Sequence, residues 1–126
     1  MHLPKLITAV VVFMLICGCT TTETSRIITP ETAALADTVT TQIVLNQGGR
    51  EANPLGASGV LVGKVLYLFV VRPELSDKER TSGDRLATSV WMGAAVNNIV
   101  QLVFPFTPLV GIAAGVIVGR EIYQRY

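Results

Sequence analysis

The chain has 126 residues, a formal net charge of +1, and 50% hydrophobic against only 15% charged residues; ordinary soluble domains carry about 25% charged. That is enough chain for one small domain, and the near-zero charge carries no sign of a nucleic-acid or strongly acidic partner. The only histidine (His2) and both cysteines (Cys17, Cys19) fall at the extreme N-terminus. If that segment is processed, imidazole and thiol catalysis are excluded and no metal cluster of those ligands can form, while carboxylate or lysine chemistry stays open.

The N-terminus has the layout of a secretory signal: Lys5 near the start, an apolar run from Leu6 to Ile16, then a small residue before a cysteine. The run is short for a membrane span, which needs about 20 residues. Leu15-Ile16-Cys17-Gly18-Cys19 resembles the lipobox of bacterial lipoproteins, with an apolar residue three positions before the cysteine and a small one directly before it. Cys17 does not fit, because Ile16 is too large for the position before the cut. The resemblance implies a diacylglyceryl group on Cys19, cleavage after Gly18 and acylation of the new amine. Residues 1–18 are then the signal and 19–30 a polar, threonine-rich tether.

The rest, 31–126, predicts an all-α, membrane-embedded bundle of three to four helices. Helix one is expected over about 31–47, capped by Thr29 with Pro30 in its first turn and stopped by Gly48-Gly49. Helix two is expected over 54–72, an apolar stretch of membrane-span length interrupted only by Lys64 and ended by Arg72-Pro73. Residues 74–85 concentrate charge and predict a hydrated loop. Helix three is expected over 84–104, with Ser82 or Asp84 near its cap. Helix four is expected over 108–123, beyond Pro105 and Pro108, with Arg and Tyr in its tail suited to a membrane boundary.

Small residues recur every four positions: Gly59 and Gly63 in helix two, and Gly111, Gly115 and Gly119 in helix four. That spacing returns to one helix face and predicts grooves where another backbone approaches closely, here within the chain. Helix three carries a parallel stripe, Ser89, Gly93, Asn97 and Gln101, with Asn98 beside it. Amides in hydrocarbon need partners, so the stripe is expected to face other helices. Asp37 and Lys64 are ionisable groups inside apolar helices, and an ion pair across the hairpin of helices one and two is the expected solution. Glu51 stands about three and a half turns from Lys64, too far for contact along a straight helix.

Asp37-x-x-Thr40-Thr41 followed by Gly48-Gly49-x-Glu51-x-Asn53-Pro54 resembles the opening of a widespread family of small bacterial membrane proteins, over residues 35–70. That resemblance implies no activity; the lipobox upstream departs from its usual pattern. An acylated Cys19 starts on the outer face. An interfacial helix one, with helix two running inward, then places the 74–85 loop, Arg120 and Arg125 inside, as the positive-inside tendency favours. The expected role is structural or accessory, without catalysis, cofactor or metal. Expected partners are membrane lipid and a larger membrane protein or a second copy, and no nucleic acid. Gly63-Lys64 is followed by Val65, so no phosphate loop is present. The alternatives are a soluble periplasmic lipoprotein held only by its lipid, in the outer or inner membrane, and a small ion- or proton-handling protein using Asp37 and Lys64.

Overall fold

The computed structural model describes residues 28–49, 55–105 and 108–126. The signal, Cys19, most of the tether, Glu51 and the Asn53-Pro54 turn lie outside them. The described chain is all helical: α1 (Pro30–Asn46), α2 (Gly56–Glu74), α3 (Asp77–Val103) and α4 (Pro108–Arg125).

Local chemistry accounts for the helix ends. Thr29 caps α1: its hydroxyl accepts from the Thr32 amide while its own amide donates to the Thr32 hydroxyl, and Pro30 fills the first turn. At the other end Gly48 adopts φ 82°, donating to Leu45 O, and the Gly49 amide reaches back to Val44 O. This crossed pair closes the last turn, and the positive φ explains the glycine.

Two boundaries differ from the sequence expectation. Helix two does not stop at Arg72. Its turn over Tyr67–Val71 widens to a π-helix, the Arg72 amide bonds Tyr67 O, and a last turn carries Arg72, Pro73 and Glu74. In a regular α-helix the Pro73 ring would press on the carbonyl four residues back, and the wider turn just before it relieves that conflict. The expected loop over 74–85 is mostly helix, because Ser76 and Glu79 form a capping box and start α3 at Asp77. The charges there are compatible with a solvated first helical stretch, and only Leu75 and Ser76 connect the helices.

Consecutive helices run antiparallel, so α1 and α3 are parallel neighbours. Helix α3 is the centre: α1 and α4 pack along it, whereas α2 touches the rest sparsely. Buried α1 residues are Pro30, Ala33, Ala34 and Asp37, facing Thr88, Met92 and Ala95 of a largely small-residue α3 core. The ion pair of Glu31 with Arg72 puts the start of α1 beside the end of α2. Helix one therefore lies in the bundle, not apart from it. The start of α1 and the 74–85 segment share one end of the bundle.

Candidate functional site

The face that α2 turns inward is set by charge. Lys64 is the single buried residue of Gly56–Leu66, 4% exposed. Its ammonium lies 2.7 Å from Asp37 Oδ2 and donates to the Thr38 hydroxyl at 3.0 Å and to Ala34 O at 3.4 Å. Asn98 of α3 completes the group from the third helix. Its amide nitrogen donates to Asp37 Oδ1 at 3.3 Å, to the Thr40 hydroxyl at 3.2 Å and to the Thr41 hydroxyl at 2.9 Å. Asp37, Lys64 and Asn98 thus tie three helices at one level. All three ammonium protons have acceptors, as a buried charge requires.

Toward the hairpin end, residues of α1, α2 and α3 line a cleft of about 410 Å³. Its wall carries Asp37, Thr41, Ser58, Lys64, Asn97 and Gln101. Gln101 donates to Asn97 Oδ1 at 3.1 Å. Of the polar residues singled out from the sequence, Asp37, Lys64, Asn97, Asn98 and Gln101 all line this cleft. Among the described residues no group of three His, Cys, Asp or Glu side chains sits together as a metal site.

A second polar clamp, unforeseen from the sequence, holds the other end of α2. Buried Asp84 takes Arg72 in a two-pronged pair, Nε to Oδ1 at 2.8 Å and Nη2 to Oδ2 at 2.9 Å, and accepts from the Tyr67 hydroxyl at 2.9 Å. The Arg72 fork also reaches Glu31 of α1. Tyr67 stands edge-on to Trp91, ring centroids 5.8 Å apart. A Cβ on Gly83 would fall 2.5 Å from the Tyr67 hydroxyl, so a glycine there lets α2 dock. Partial burial works to raise the Glu31 carboxyl's pKa, but the backbone amide, the Thr29 hydroxyl and the Arg72 charge outweigh it and hold the pKa below its usual value. The Tyr126 hydroxyl is pushed up, by partial burial first and by the Asp84 carboxylate second.

The two glycine sets part company. Gly111, Gly115 and Gly119 meet the α3 stripe. A Cβ on Gly119 would lie 2.8 Å from Ser89 O, one on Gly93 2.7 Å from Gly115 O, and one on Gly111 2.6 Å from Asn97 Oδ1. Gly115 is tighter still against Gly93 O. At Gly93, Gly115 and Gly119 backbone touches backbone, which only glycine permits. Gly59 and Gly63 are a correction: nothing lies within 4 Å of a Cβ on Gly63, and only Leu55 of the same turn is near one on Gly59. The Lys64 side chain must face Asp37, and that choice rotates Gly59 and Gly63 outward with Leu55, Val62, Leu66 and Val70, all exposed.

No family model, no curated protein and no solved structure matches this chain.

Proposed function

We propose that this protein is a small membrane-embedded envelope lipoprotein, acylated on Cys19, with a structural or accessory role. The observation that carries the reading is the outer face of α2. Leu55 and Phe69 are each 72% exposed, and only 6% of the helix's apolar window is buried. Each such side chain left in water forgoes about 1.5–3 kcal/mol of burial, and a contiguous apolar face of this kind marks a lipid or protein contact. Both α2 (Gly56–Glu74) and α3 (Asp77–Val103) are long and apolar enough to cross a membrane. A soluble bundle would turn α2's apolar side inward. The outward Gly59–Gly63 face suits a helix of a larger membrane protein or of a second copy.

The extraction test uses a chain whose residues 1–19 are replaced by a conventionally cleaved secretory signal. Retention in the membrane pellet at alkaline pH supports embedding; release into buffer supports the soluble alternative. Topology provides a second test. Because α1 begins where α2 ends, a chain acylated at Cys19 must expose a cysteine placed at Lys78 to reagent from the outer face. That leaves the cations of this end outside, against the positive-inside tendency. Labelling of that cysteine only from the inner face would rule out the Cys19 anchor.

A second reading, ion or proton handling, draws on the cleft that reaches Asp37 and Lys64. Lys64→Met separates the two. Normal folding with lost ion flux favours transport, and loss of the folded protein favours a structural pair.

A further inference from the structure

Beside the α3–α4 glycine contact, on the bundle surface, runs a groove of about 440 Å³ whose lining is almost wholly apolar. Val90 of α3 and Ile112 and Val116 of α4 form its walls, and Gly115 and Gly119 its floor. From Ile112 to Tyr123 it extends about 16 Å at 1.5 Å per residue. That is half of the roughly 30 Å hydrocarbon thickness, or one leaflet.

The charged end of the groove is unusual in its pairing. Arg72, Arg80 and Arg125 each meet a carboxylate. Among the described residues Arg120, which lines the groove mouth, meets none, and neither does Arg85. Arg85 lies over the ring of Tyr123, 4.0 Å from its centroid, and donates to the Tyr123 carbonyl. Arg120 and Tyr123 are one turn apart on α4, so both guanidinium groups rim the same mouth. An apolar channel one leaflet long, headed by two cations without counter-charge, is complementary to an anionic amphiphile.

We propose that this groove binds an anionic membrane phospholipid, with one acyl chain along Val90, Ile112 and Val116 and the phosphate between Arg85 and Arg120. The proposal rests on the membrane reading above. It differs from the α2 face in location and ligand: the lipid here is a seated molecule of defined charge, not bulk solvent. Guanidinium groups bind phosphate through paired N–H donors.

The test is native mass spectrometry of the full chain, extracted from membranes in mild detergent and titrated with phosphatidylglycerol or phosphatidylcholine. The expected result is a preference for phosphatidylglycerol, falling about fivefold for each arginine neutralised in Arg120→Gln and Arg85→Gln/Arg120→Gln. Among the described residues Arg120 makes no hydrogen bond or ion pair that its loss would break, so its single variant guards against misfolding of the pair, with helical circular dichroism as control. Val116→Trp, which fills the groove from an exposed wall position, is expected to weaken both lipids without changing their ratio. Equal binding of the two lipids, a preference that survives in the double variant, or unchanged binding by Val116→Trp would each overturn the site while leaving the membrane reading standing. Displacement by millimolar inorganic phosphate would also overturn it, showing a bare anion site. A chain that stays dissolved without detergent would instead remove the membrane premise.

Discussion

Neutralising Lys64 is the most direct probe of what holds α2 in place. At 2.7 Å and an effective dielectric of about 20, the Coulomb attraction to Asp37 is about 6 kcal/mol. Withdrawing two ions from water costs several kcal/mol each, so the pair as a whole contributes little net stability. Removing one partner is different. Lys64→Met leaves the Asp37 carboxylate, 5% exposed, with a single amide donor from Asn98. The expected loss is about 3–5 kcal/mol. Asp37→Asn leaves the buried ammonium with neutral acceptors alone and should cost a similar amount. The double variant strands no charge, and its cost should fall short of the summed singles by at least ~2 kcal/mol, within the range for contacting neighbours. Equilibrium unfolding in mixed micelles, followed by far-ultraviolet circular dichroism, measures all four corners of the cycle. Single losses below about 1 kcal/mol, or strict additivity, would refute the role given to the pair.

Gly115→Ala drives a methyl into the Gly93 carbonyl and should cost about 1–3 kcal/mol. Gly63→Ala meets open space and should be neutral or stabilising by up to ~1 kcal/mol, as helix propensity dictates; the two melting curves side by side are the check. Asp84→Asn removes the carboxylate shared by Arg72 and Tyr67, and the emission of Trp91 should shift as α2 loosens at that end, while an unchanged spectrum would place the clamp's strength elsewhere. The Glu31 carboxyl's folded pKa lies below its unfolded one. Its contribution is therefore fully present above the usual glutamate range and lost as pH falls through the lower folded value. Its side chain is 51% exposed, so the screened effect is about 0.5 kcal/mol. Glu31→Gln should lower stability by about that amount at neutral pH, leave the acid end nearly unchanged and so flatten the acid limb of a stability–pH curve.

Local signals in the chain were enough for the all-helical class and for several helix ends. Thr29-Pro30 and Gly48-Gly49 act through hydrogen bonds that close within a turn, so nothing distant is needed to read them. The pairing of Asp37 with Lys64 was legible for a related reason: two opposite charges in apolar helices of one hairpin have few other ways to be satisfied. The charges around Asp77 suggest a loop and hide the start of α3, although the Ser76–Glu79 box marks a helix start. The burial of Asp84 depends on Arg72 and Tyr67 arriving from α2, which no local pattern shows. The two glycine sets draw the line most sharply. Spacing by four residues says that a face is smooth, and it is equally true of Gly59–Gly63 and of Gly111–Gly119. Which smooth face meets a neighbour depends on how each helix is rotated. In α2 that rotation follows from burying one ammonium against Asp37, a contact across space that outweighs the preferences of the helix's own surface.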